Sequence, residues 1–170
     1  MDTPDISRLE IVFPNGNRAV AVRTLPGASA ESIVNALALA PPRAVVLLAG
    51  GAGHLDNAIR EQLVPLFSRG IARAAADLKA VILDGGTHAG VMSLMGQGVA
   101  DRGRQTALVG VAPAGKVTYP GGPELGGVTD AASLDPNHSH FVLVDANEWG
   151  GETTTAIALA GAFKVPVVVI

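Results

Sequence analysis

The chain has 170 residues and a net charge of −3, with 12 basic and 15 acidic side chains. That size suits one domain with one core, and the charge excludes nucleic-acid binding by bulk electrostatics. Hydrophobic residues make up 48% but aromatics only 4%, and there is no cysteine. The core must therefore come from Ala, Val, Leu and Ile, with no disulfide, thiolate nucleophile or zinc–thiolate site. The lack of cysteine suits a cytoplasmic protein. The first eleven residues, MDTPDISRLEI, lack an apolar segment and do not read as a signal peptide, and no run of 18 apolar residues could span a membrane.

Residues 8–23 place two apolar runs around Pro14-Asn15-Gly16-Asn17, the pattern of a β-hairpin. Residues 29–40 open on Ser29 and repeat apolar positions at helical spacing up to Pro41-Pro42. From there an alternation begins. Strands are expected at 44–53, 80–86, 106–113, 140–147 and 165–170. Helices are expected at 54–78, 89–101 and 152–163, the first kinked near Pro65 or broken at Gly70. Residues 114–139, rich in Gly, Pro and Asp, read as a long loop, and their length and position suggest a lid.

Continuous apolar strands alternating with helices predict an α/β fold. The expectation is a Rossmann-like three-layer α/β/α sandwich with a mostly parallel sheet plus an N-terminal β-hairpin over residues 1–28. The sequence stops on a hydrophobic strand. This suggests a piece of something longer or a strand covered by another part; the plainer alternative is a terminal strand in mid-sheet.

Right-handed crossovers place the strand C-termini on one edge, where open α/β sheets bind ligands. Four unusual segments follow those C-termini. The turn AGGAGHLDN carries Gly50, Gly51 and Gly53, with Asp56 where a dinucleotide fingerprint wants its third glycine. The turn DGGTHAGVM offers Gly85, Gly86, Thr87, His88 and Gly90. Its glycines let backbone approach a phosphate, and Thr87 can cap a helix or donate its hydroxyl. DPNHSHFVLVD brings His138 and His140, two apart and on one face of a strand, with Asp135 and Asp145 nearby. No known metal spacing supports these, so no metal site and no cofactor are expected. NEWGGETTT holds Trp149, Gly150, Gly151, Glu152 and Thr153, hydroxyls and amides that suit phosphate or ribose.

Taken together, AGGAGHLD, VILDGGTHAGVMSLMGQG, LVGVAP, DPNHSHFVLVD and NEWGGETT resemble the SLOG superfamily over residues 44–170. They are most similar to its prokaryotic branch related to the N-terminal domain of melastatin-type TRP channels. The resemblance implies a Rossmann-like domain that binds a nucleotide-derived small molecule, such as ADP-ribose or a cyclic relative, as a signalling sensor. It also implies a fused or neighbouring membrane or effector module, and it admits a homo-oligomer such as a dimer. Gly85, Gly86, Gly90 and Met92 match the GG-x-x-x-G-[LV]-M turn of Lonely Guy phosphoribohydrolases. Gly150 and Gly151 match the start of their GGxGTxxE motif. There Thr153 replaces the third glycine and Ile157 stands where the catalytic glutamate belongs. The alternative function, a nucleotide N-glycosidase or phosphoribohydrolase, would rest on Glu152 as its acid/base.

Overall fold

The computed structural model describes residues 6–50 and 55–170. Strands β1 (Ile6–Val12) and β2 (Arg18–Thr24) form the expected hairpin. Helix α1 (Ala30–Leu37) is capped by the Ser29 side chain, which accepts from the Ser32 amide. Strand β3 (Val45–Leu47) leads to α2 (Asn57–Pro65), capped by Asp56 on the Ile59 amide. Pro65 cannot donate and crowds the preceding turn, so the chain widens into a π-helical segment, Leu66–Ile71, that contains Gly70. The backbone stays helical into α3 (Ala72–Leu78) and stops at Lys79, whose φ of 53° is left-handed.

The remaining elements are β4 (Val81–Asp84), α4 (Gly90–Ala100), β5 (Leu108–Pro113), β6 (Val117–Thr118), β7 (Ala132–Ser133), β8 (His140–Val144), α5 (Thr153–Ala162) and β9 (Val167–Val169). The large sheet has the order β1-β2-β8-β5-β4-β3-β9, with every pairing parallel except β1 with β2. The fold is the expected three-layer α/β sandwich. The hairpin is no separate appendage, because β2 pairs with β8 along residues 20–24 and extends the sheet.

Alternation along the strands assigns the two faces. Val22, Val81, Leu83, Val109, Val111, Val142 and Val144 pack with Ile33 and Leu37 of α1 and Leu159 of α5. On the opposite face, Ile82 and Leu108 pack with Phe67, Ala75, Leu94 and Met95 under α2, α3 and α4. Ala19, Ala21, Phe141 and Leu143 are covered there by Val117 and Leu134.

The segment 114–139 thus differs from an open loop. It begins with a short 3₁₀ turn, pairs β6 with β7, and buries Val117, Leu134, Asp135 and His138 against the sheet. It does the covering that a crossover helix does between other parallel strands. A run of Gly, Pro and Asp gave no periodic signal for this.

The terminal strand also differs from the mid-sheet alternative. Among the described residues β9 pairs only with β3 and forms an edge, with Val169 62% exposed. No helix of the described residues is long and apolar enough to cross a membrane.

Candidate functional site

From β3 the chain moves through β4 and β5 to β8 in one direction, then α5 carries it back across the sheet to β9 on the far side of β3. The strand order reverses at β3, which makes the β3–β9 junction the topological switch point, where such sheets hold their ligands. A cleft of about 730 Å³ opens there. Its floor is the end of β3 with Ala49 and Gly50, the main chain at Asp84 and Gly85, and Val111. One wall is α5, through Glu152, Thr153, Ala156 and Ile157; the other is β9, through Val167 and Val169.

Of the residues singled out from the sequence, Gly50, Gly85, Glu152 and Thr153 meet in this cleft. Gly51 and Gly53 lie outside the described residues. Gly150, with φ of 95°, and Gly151 shape the turn into α5. The Gly150 amide donates to Glu152 Oε2 at 2.9 Å, so that carboxylate is folded back on the turn rather than capping the helix. Among the described residues, the Thr154 and Thr155 amides in the first turn of α5 have no hydrogen-bond acceptor. Trp149 does not line the cleft; its indole N–H donates to the Asp130 carbonyl, tying the β8–α5 turn to the crossover segment.

The other predicted residues go elsewhere. Gly86 turns the chain down the α4 face, where a left-handed φ of 70° lays it on Gly110 of β5. A Cβ on Gly110 would come within 2.4 Å of the Gly86 Cα, so both positions require glycine for this close approach. Thr87 bridges Leu134 and is buried, and among the described residues its hydroxyl has no partner. It does not cap α4, whose N-cap is Ala89 without a side-chain bond. Gly90 is the first residue of α4, with φ of 52°. The sequence motif is continuous, but the chain reverses within it, so only its first glycine reaches the cleft.

The reversed segment rests on a buried polar chain. Asp84 follows Leu83 on its strand and points to the opposite face, away from the cleft. Its Oδ1 accepts from the Gly86 amide at 2.7 Å and from His138 Nε2 at 2.7 Å. His138 Nδ1 reaches Asp135 Oδ1 at 3.1 Å, and Asp135 Oδ2 accepts from His88 Nδ1 at 2.8 Å. The side chains of Asp84, His138 and Asp135 are wholly buried. Ionised carboxylates only accept, so both His138 nitrogens donate and the ring is an imidazolium. Burial by itself lowers the basicity of His138, but the flanking Asp84 and Asp135 carboxylates reverse this and raise it to about 9. Burial pushes Asp135 up, and hydrogen bonds from His138 and His88 outweigh it, holding that carboxyl below its usual range.

His138 and His140 do not share a face. His138 precedes β8 and stacks on Phe141 with ring centroids 5.4 Å apart. His140 opens β8 on the other side; burial, then Arg8 and Arg104, press its basicity down to about 4. Among the described residues no group of three or more His, Asp or Glu side chains is placed to hold a metal ion.

The apolar walls of the cleft had no counterpart in the sequence reading. In the sequence Ile157 stands out only as an isoleucine where the Lonely Guy motif has its glutamate, yet it is 61% exposed on the cleft wall. Val167 and Val169 read as ordinary strand residues; only the pairing of β9 with β3 brings them here. Asp84 did carry a local signal, since an Asp two residues before a glycine amide is the pattern of an Asx turn.

Comparison with known proteins agrees with this architecture. Residues 43–169 match the family described as SLOG in TRPM, prokaryote. The chain is 30% identical over 129 residues to transient receptor potential cation channel subfamily M member 2 of Mus musculus, covering 64% of this chain and 8% of the relative. It is 33% identical over 126 residues to the subfamily M member-like 2 channel of Nematostella vectensis, covering 61% and 8%. The chain therefore spans about 8% of the length of these curated relatives. With the family match covering most of its length, the chain belongs to the SLOG domains of the TRPM type, in their prokaryotic branch.

Proposed function

We propose that the chain is a ligand-sensing domain whose switch-point cleft takes a nucleotide or nucleotide-derived signal, with ADP-ribose or a relative as the specific candidate. The observation that carries this is the convergence of Gly50, Gly85 and the start of α5 on one cleft. The open amides at the α5 N-terminus favour a phosphate. The apolar floor at Val111 and the apolar walls at Ile157 and Val169 suit the faces of a base and a sugar. Glu152, held at the cleft rim by the Gly150 amide, supplies a fixed acceptor for sugar hydroxyls. Family membership supports a nucleotide-related ligand in general; a signalling role in the cytoplasm is part of this proposal.

The test is calorimetric titration with ADP-ribose, cyclic ADP-ribose, AMP and NAD, each mixture being chromatographed afterwards. Saturable heat with intact ligand is expected. Ile157→Asp, which puts a carboxylate at an exposed position on the apolar cleft wall, should weaken binding of these anionic ligands at least tenfold without unfolding the domain. No heat from any of the four, or equal affinity in the variant, overturns the reading. Release of free base or nicotinamide, abolished by Glu152→Gln, would make the cleft a nucleotide N-glycosidase site.

A further inference from the structure

The two edges of the large sheet are built differently. The β1 edge exposes Ser7, Arg8 and Glu10, and Glu10 is paired with Arg18 at 3.2 Å. Charge of this kind keeps a further strand from adding to an edge. The β9 edge has no such guard. Residues 165–170 read VPVVVI without one charged side chain, and Val167, Val168, Val169 and Ile170 are all exposed.

The backbone of β9 is half used. The Val45 amide donates to the Pro166 carbonyl at 2.9 Å, the Ile170 amide to the Leu47 carbonyl at 3.0 Å, and the Ala49 amide to the Ile170 carbonyl at 2.9 Å. With Val46 paired to Val168, the even-numbered residues of this stretch face β3. Backbone groups alternate along a strand, so the N–H and C=O of Val167 and Val169 point to the open side. Among the described residues none of these groups has a hydrogen-bond partner.

Val167-Val168-Val169 reads the same in both directions. Laid antiparallel on a copy of itself about a two-fold axis at Val168, it places Val167 opposite the partner's Val169. In that register the Val167 amide donates to the carbonyl of the partner's Val169 and accepts its amide in return, so every free group of the edge is used. Each cross-strand pair is valine with valine, a β-branched match on both faces of the sheet. Opposed side chains share a face, so the partner's Val169 stands beside Val167 and continues the cleft wall. A two-fold contact consumes the edge and closes, and the charged β1 edge offers no second strand for a fibre.

We propose that β9 is a dimerisation strand: a second copy of this chain adds antiparallel to it about Val168 and joins the two sheets into one.

Sedimentation of the chain from micromolar to millimolar concentration tests this, with amide hydrogen exchange at both ends of the range. A reversible monomer–dimer equilibrium without larger species is expected. In the dimer, exchange at Val167 and Val169 should slow at least tenfold, whereas Val168 and Ile170, already bonded to β3, should be slow at every concentration. Val168→Lys sets like charges opposite each other at the axis, on a half-exposed side chain outside the cleft lining. It should weaken association at least tenfold and leave the melting midpoint of dilute protein unchanged. A chain that stays monomeric at millimolar concentration overturns the proposal, and slow Val167 and Val169 amides in that monomer would show the edge covered by another segment. A dimer in which those two amides still exchange freely overturns it as well. The measurement uses no ligand, so its result stands apart from nucleotide binding in the cleft.

Discussion

Nε2 of His138 lies 2.7 Å from Oδ1 of Asp84, and neither side chain is exposed to solvent at all. Burying such a pair gives little net stability, but removing one partner strands a charge and costs about 3–5 kcal/mol. His138→Leu would leave Asp84 and Asp135 facing each other without a cation. Urea unfolding should show a loss in that range, with the slope unchanged. A loss below about 1 kcal/mol would mean that the network is not charged as described.

Stability should depend on pH on both sides of neutrality. His138 binds its proton more tightly folded than unfolded, with basicity raised from 6.5 to about 9. Its contribution is complete below pH 6.5 and disappears as pH rises through 9, up to about 3 kcal/mol. His140 is shifted the other way, to about 4, so its neutral form is favoured in the fold. That contribution is complete above pH 6.5 and is lost as pH falls toward 4. Urea midpoints across pH 4–10 should show both limbs. His138→Gln should flatten the alkaline one and His140→Gln the acidic one.

The contact of Gly86 with Gly110 predicts a contrast between two alanine substitutions. In Gly110→Ala the new methyl meets the Gly86 Cα at 2.4 Å and the Phe141 ring at 2.8 Å, neither able to move freely. A loss of about 2–3 kcal/mol is expected. Gly161→Ala, within α5, meets nothing within 4 Å and should stabilise by about 0.5–1 kcal/mol. Thermal melts of the two proteins should move in opposite directions.

Thr153→Asp separates folding from binding at the start of α5. A negative charge in the first helical turn stabilises by about 0.3–1 kcal/mol through the helix dipole. The same charge in the cleft would repel a phosphate. The melting midpoint should rise while affinity for an anionic nucleotide falls, by calorimetry, at least fivefold. A parallel rise in both would place the phosphate away from α5.

The layers of the fold could be read from sequence because each strand is a continuous run, such as Val81–Leu83 or Phe141–Val144, and each crossover helix has its own periodicity. Ser29 marks a helix start by its side-chain chemistry alone, whereas the helix expected from residue 54 starts at Asn57 behind Asp56, whose carboxylate caps it. The site was legible only in part. Gly50, Gly85, Glu152 and Thr153 each follow a strand or open a helix, and parallel topology necessarily brings them to one edge. Thr87, His88 and His138 depend instead on the path of the chain after Asp84, which turns back along the sheet because Gly86 can lie on Gly110. That is a contact across 24 residues, and no local pattern announces it. The apolar cleft walls depend likewise on β9 pairing with β3, 122 positions earlier, in a register set by the whole sheet.

The central claim is that ligand enters at the reversal of strand order, and amide shift mapping with ADP-ribose tests it most directly. The account predicts saturable shifts at Gly50, Gly85, Thr153, Ala156 and Val169, with His88 and Tyr119 unmoved. Saturable shifts confined to other surfaces, or none up to millimolar ligand with AMP and NAD equally silent, would contradict it.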